Sequence, residues 1–309
     1  MLKKETITYP SAAHGVTVKG YFFAPEGQAK AIVQLSHGMI DRIGHYEELI
    51  SALVDAGFAV VGNDHIGHGE TAENETAFGH FGRRGARRDL VSDLHEMSRL
   101  AKERFGALPL VLVGHSMGSF LARAYAARYP SELTALVLLG TSGKNPALPF
   151  GKLLADLLTL FRGRRYRSMT LAKLTFRGYL SRVRCEGSHL AWLTRDEGCR
   201  REVAADPLCH FIFTVSAYRE LFSMLGEVNR RAWFRALPRQ LPILLASGAE
   251  DPVGAYGRGV CRVAASLARK GMQNLTLRLY AGARHDLHHE TNRAEFFSDL
   301  VSYLREVIR

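Results

Sequence analysis

The stretch that decides the fold runs Leu110-Val111-Leu112-Val113-Gly114-His115-Ser116-Met117-Gly118-Ser119. Its first four residues are apolar and half β-branched, which reads as a strand buried on both faces of a parallel sheet. From Met117 to Tyr129 the pattern becomes helical, with Leu121, Ala124, Tyr125 and Arg128 at helical spacing. A chain that turns so sharply from strand to helix leaves no room for side chains beside the turn, which accounts for Gly114 and Gly118. Ser116 is then held in a strained conformation with its hydroxyl exposed, a nucleophile elbow. A bare Gly-x-Ser-x-Gly is common by chance, and its serine could merely cap the helix. The strand before and the helix after favour the nucleophile.

Outward from the elbow the same rhythm continues. Glu5 to Tyr9 and Thr17 to Ala24 suggest a hairpin, and Ala31 to Leu35 a core strand ending at Ser36-His37-Gly38-Met39. Tyr46 to Ala56 is an amphipathic helix closed by Gly57, Phe58 to Val61 a strand leading to Asp64, and Asp89 to Phe105 a further helix. Ala135 to Leu139 is another buried strand. Strands alternating with helices specify a mostly parallel, doubly wound sheet, in which functional groups gather at the carboxyl ends of the strands.

From Ser142 the rhythm breaks, and no strand-like run returns until Leu241 to Leu245. Residues 142–238 are expected to form a helical cap, with residues 1–141 and 239–309 as the core domain. In the first cap helix Phe150, Leu153, Leu154, Leu157, Leu158 and Phe161 share one face. That face could pack on the sheet domain, the favoured reading, or meet acyl chains or a membrane. Arg258 to Lys270 then reads as a helix, Leu275 to Tyr280 as a strand and Glu295 to Ile308 as a closing helix.

The chain has 309 residues and a formal charge of +11. Thirteen basic against five acidic residues between Ser142 and Glu202 give that segment a net +8, so the excess is local. The aromatic or Gly-rich elements of a nucleic-acid binder are lacking beside it, and no nucleic acid is expected as partner. Basic charge beside the Leu-rich helix instead suggests transient docking on an anionic membrane surface. No run approaches the ~18 apolar residues of a membrane span, and no signal peptide is expected from the first residues. Cys185, Cys199, Cys209 and Cys261 form no C-x-x-C pair, which suits free thiols in a reducing cytoplasm. The sequence carries no signal for an oligomeric state.

A serine hydroxyl needs a base within reach and an acid to orient that base. After the strand near Ile243 comes Ser247-Gly248-Ala249-Glu250-Asp251-Pro252-Val253, and after Tyr280 comes Ala281-Gly282-Ala283-Arg284-His285-Asp286. Asp251 is the expected acid, with Glu250 as rival; His285 is the expected base, with His288 and His289 as rivals. Backbone N–H groups of Met117 and Met39 would receive the oxyanion. His37, His45, His65, His68, His80 and His115 match no zinc pattern, so no metal or cofactor is expected; His65 and His68 read as loop braces. Gly79, Gly82 and Gly85 do not make a phosphate loop.

These motifs, together with His45-Tyr46 and Asn63-Asp64-His65-Ile66-Gly67-His68-Gly69, resemble the monoacylglycerol lipase and lysophospholipase-like branch of the α/β-hydrolase superfamily, which includes serine aminopeptidase-like hydrolases. The resemblance implies the α/β-hydrolase fold with a helical cap, a triad of Ser116, Asp251 and His285, and Met39 and Met117 as oxyanion donors. Ala191 to Asp196 and Asp206 to Cys209 are similar to cap segments of bacterial members. The chain departs from the pattern where an Asn is expected near His289, and in its basic cap. The implied activity is hydrolysis of a lipid-like ester such as a monoacylglycerol or lysophospholipid. An amide-cleaving aminopeptidase and a catalytically silent binding protein are the alternatives.

Overall fold

Eight strands form one sheet: β1 (Lys3–Pro10), β2 (Thr17–Ala24), β3 (Ile32–Ser36), β4 (Ala59–Asn63), β5 (Leu110–His115), β6 (Ala135–Leu139), β7 (Ile243–Gly248) and β8 (Leu275–Tyr280), in the order β1-β2-β4-β3-β5-β6-β7-β8. The computed structural model describes residues 3–183 and 188–309; Arg184, Cys185 and Glu186 lie outside the described residues. The β1–β2 and β2–β4 pairs are antiparallel and all others parallel. The doubly wound sheet expected from the sequence is present.

Strands β3 to β7 are buried along their whole length, because helices cover both faces. On one side lie α1 (Glu47–Asp55) and α10 (Arg293–Val307), whose Leu49, Ile50, Leu53, Phe296 and Leu300 join Val33, Val60 and Val113 in one apolar cluster. On the other lie α2 (Arg87–Phe105) and α3 (Met117–Arg128), with Leu90, Leu94, Leu121 and Tyr125 packed on Leu112 and Leu136. Each such aliphatic side chain contributes about 1.5–3 kcal/mol by leaving water.

Between β6 and β7 come α4 (Leu148–Arg162), α5 (Met169–Thr175), α6 (Glu197–Ala205), α7 (Val215–Val228) and α8 (Arg231–Ala236), and no strand among the described residues. Tyr218, Leu221 and Met224 of α7 and Trp233 of α8 belong to the same apolar cluster as α3. The α4 helix corrects the single apolar face read from its sequence. Leu154 and Leu158 pack inward, with Ala155 buried. Phe150, Leu160 and Phe161, each 76% exposed, face water with Leu153 and Leu157. Periodicity gave the width of the apolar arc but not the part that turns inward. After β8 the chain continues to α10; before it, α9 (Arg258–Ala268) covers the sheet with Val260, Val263 and Leu267.

The order of the central strands places the site. After β3 the chain moves to one side to make β4, then returns across β3 to make β5. The loops leaving β3 and β5 thus part at a topological switch point, where open parallel sheets form their crevice.

Candidate active site

Ser116 follows directly on β5 with φ 51° and ψ −118°, a left-handed conformation rare outside glycine. Such strain costs about 1–3 kcal/mol and persists only where the surroundings enforce it. Here the Ser116 N–H is held by the Leu139 carbonyl at 2.9 Å, and the flanking glycines are sterically required. A Cβ on Gly118 would lie 1.9 Å from the Ser36 oxygen, and one on Gly114 2.4 Å from the Gly118 oxygen. Met117 opens α3, so its N–H has no carbonyl one turn earlier to bind.

The loop after β3 meets the elbow directly. A Cβ on Gly38 would be 3.4 Å from Ser116 Cβ and 3.3 Å from His115 Nδ1, which brings the Gly38–Met39 backbone beside the serine. Gly38 N–H donates to Asp41 Oδ2 (3.2 Å), and so does the Tyr46 hydroxyl (2.7 Å). The Tyr46 oxygen then accepts from His115 Nδ1–H at 2.8 Å, so one carboxylate braces both the loop and the residue preceding Ser116. Burial works to raise the Asp41 pKa, but the bond and field of His45, aided by His37 and His115, hold it well below the usual carboxylate range.

Asp251 and His285 leave the ends of neighbouring strands β7 and β8, laced together by Glu250 N–H on the Ala283 carbonyl at 2.9 Å. Asp251 is fully buried and accepts from Val253 N–H (2.8 Å) and Ser247 Oγ (3.1 Å). His285 Nδ1 lies 3.0 Å from Asp251 Oδ1, an ion-pair distance, with its N–H not aimed for a hydrogen bond. Burial disfavours the imidazolium, but Asp251 outweighs it and raises the His285 pKa above the ordinary histidine value. The rivals stand elsewhere. Glu250 is exposed, His288 stacks on Tyr46 with ring centres 4.2 Å apart, and His289 donates from Nε2 to the His45 carbonyl.

To approach Ser116 from β8, the histidine must reach past the ends of β7 and β6. Gly140, just after β6, makes room: a Cβ there would lie 2.8 Å from His285 Cε1 and 3.4 Å from Asp251 Oδ2. His285 thereby comes within 4.8 Å of the His115 ring, centre to centre. Its Nε2 has no hydrogen-bond partner among the described residues, the serine hydroxyl included. Catalytic hydrogen bonds in unliganded enzymes are often this loose and tighten on binding.

Other parts of the site were not anticipated. Trp192, from the segment between β6 and β7, lies 5.2 Å from the His285 ring and next to Tyr179. Glu290, buried, accepts from Arg284 N–H (2.8 Å) and from Arg195 Nε (2.8 Å); it stands at the departure noted in the sequence and pins the histidine loop to that segment. His65 and His68 do brace loops: His65 Nε2 lies 3.0 Å from Ser36 Oγ, and His68 Nδ1 meets the Ile66 carbonyl at 3.1 Å. Among the described residues, three groups have metal-like spacing: His45 with Asp206 and Cys209, His115 with His285 and Asp286, and Asp286 with His288 and His289. In the first, both His45 nitrogens and Asp206 already bond to protein groups.

Comparison with known proteins agrees with this architecture. The serine aminopeptidase, S33, family matches over residues 27–292. Human monoglyceride lipase is 30% identical over 93% of this chain and 87% of its own length. The monoacylglycerol lipase of Mycolicibacterium smegmatis is 26% identical over 94% of this chain and 93% of its own. The solved structure of a highly thermostable carboxyl esterase from Bacillus coagulans, in complex with glycerol, superposes with a TM-score of 0.93 at 27% identity over all of both chains. The chain therefore belongs to the serine aminopeptidase S33 family of the α/β-hydrolase fold, among its lipase- and esterase-type hydrolases.

Proposed function

We propose that the chain is a serine hydrolase that cleaves carboxylic esters of lipid-like substrates, a monoacylglycerol or a lysophospholipid, through an acyl-enzyme on Ser116. The observation that carries the reading is the strained serine turn opening on the crevice that holds the buried Asp251–His285 pair. Ser116 Oγ attacks the ester carbonyl while His285 Nε2 takes its proton. The tetrahedral oxyanion is received by the N–H groups of Met39 and Met117. His285 passes the proton to the leaving alcohol, and Asp251 stabilises the imidazolium formed between these steps. Water then gives its proton to the same imidazole, attacks the acyl carbon, and releases the acid with Ser116 restored. The relatives named as monoglyceride and monoacylglycerol lipases support the substrate class. A fluorophosphonate probe should label the wild type and not Ser116→Ala; equal labelling of both refutes the nucleophile. A panel of monoacylglycerols, lysophospholipids, p-nitrophenyl esters and aminoacyl amides fixes the substrate, and preference for the amides would move the reading to an aminopeptidase.

We read residues 142–238 as a cap whose outer face meets an anionic lipid surface. The support is the row of exposed Phe150, Leu153, Leu157, Leu160 and Phe161, continued by Met169 and Leu174, with Arg162, Arg164 and Arg165 at its end. No helix among the described residues is long and apolar enough to cross a membrane, which suits a peripheral contact. Free thiols at Cys199, Cys209 and Cys261 fit a reducing cytoplasm. Sedimentation with phosphatidylglycerol vesicles, weakened by salt and by Phe161→Asp, is expected; binding indifferent to lipid charge and salt rejects the contact.

A further inference from the structure

One histidine outside the triad sits between two carboxylates. His45 Nδ1 lies 2.8 Å from Asp41 Oδ1, and its Nε2 lies 2.8 Å from Asp206 Oδ2. A neutral imidazole has one N–H and cannot donate to both. The proton that completes the pair belongs on the ring, because each carboxylate also accepts from donors that a proton on its own oxygen would displace. Asp41 accepts from Gly38 N–H, Arg42 N–H and the Tyr46 hydroxyl. Asp206 accepts from Arg42 Nε at 2.6 Å and Leu208 N–H at 2.9 Å.

We propose that His45 is a positioning residue for the hydrolytic reaction: as an imidazolium it ties Asp41, which holds the Gly38–Met39 backbone beside Ser116, to Asp206 at the end of α6, and so sets the helical segment against the crevice. The proposal rests on the reading of Ser116 as nucleophile. The groups facing His45 are Asp41 and Arg42 from its own loop, Asp206 and the Cys209 thiol from the segment, and His289 from the turn before α10, with the His37 and His288 rings also in its field. Burial and Arg42 oppose the charge, but Asp41 and Asp206 outweigh them and raise the His45 pKa. The tie is therefore present at low pH and lost as pH rises through that raised value. Once neutral, the ring keeps a single N–H and turns a lone pair toward one of the two carboxylates, so it no longer ties them together, and Arg42 is the remaining charged link to Asp206.

The test compares wild type, His45→Gln and His45→Arg on a monoacylglycerol between about pH 5 and 10, with fluorophosphonate labelling alongside. The wild type should show KM rising at alkaline pH, while kcat follows the separate titration of His285. His45→Gln should have that raised KM, by about five- to tenfold, at every pH, and His45→Arg, a fixed cation, should lose the alkaline rise. Wild-type kinetics in a labelled Gln variant overturn the proposal and leave the nucleophile standing, whereas failure of the wild type to label removes both. If the variants do not fold, imidazole NMR of the wild type decides: an imidazolium at neutral pH upholds the tie, and a neutral ring refutes it.

Discussion

The loops at the carboxyl ends of the strands and the outer helix of the inserted segment answer to different constraints. At the elbow nearly every atom is dictated by another part of the chain: Gly118 by the Ser36 carbonyl, Gly140 by the His285 ring, the Ser116 N–H by Leu139. On α4 the inner residues Leu154 and Leu158 are fixed by packing, while Phe150, Leu160 and Phe161 are largely left in water. Large apolar side chains kept in water point to a partner outside the molecule, whereas crowded glycines point to a demand within it.

Substitutions can break that contrast. The largest effect is expected for Gly118→Val, which drives a side chain into the Ser36 backbone and should cost more than about 3 kcal/mol in denaturant unfolding; a variant of wild-type stability would show that the elbow is less crowded than described. Next comes Gly140→Ala. Its methyl group would press on His285, so kcat/KM should fall by about 10²-fold, the scale of a misplaced catalytic group, with a smaller loss of stability. A loss of stability without a loss of rate would separate Gly140 from the base proposed at His285.

A pH titration sharpens the same comparison. Because Asp251 raises the His285 pKa, the neutral base is regained only above the ordinary histidine value of about 6.5, and activity should climb through that higher pH. The stability contributed by the Asp251–His285 pair runs the other way: it is complete below the unfolded histidine pKa and is lost as pH rises through the folded one. Thermal unfolding and rate measured over one pH series should show these opposite slopes, and parallel slopes would reject the pairing. The smallest effect belongs to α4, where Leu160→Ala should change stability by less than about 0.5 kcal/mol while reducing vesicle binding.

How much could be read in the sequence follows from the same division. Ser116, Asp251 and His285 could be picked out as candidates because each follows a strand, and strand ends are where such a sheet gathers its chemistry. Asp41, Tyr46 and Glu290 were not, since what they do is decided by partners such as His115, 69 residues from Tyr46. His45 is separated from Asp206 by 161 residues. The adjacency of His45 and Tyr46 was a signal, but no local rule says which carboxylates they meet. Gly140 was equally hidden, since its role depends on a loop that arrives from β8. On α4 the apolar period was clear and its orientation was not, because an arc this broad can be buried on either flank.

Ser116 carries a side chain where the backbone would be more at ease with none. On the proposed reading, its hydroxyl cannot be moved to a relaxed position without leaving the carbonyl it must attack. Endurance to heat and turnover therefore pull in opposite directions at this one residue, and descendants of the chain that abandoned hydrolysis would be freed to become more robust there.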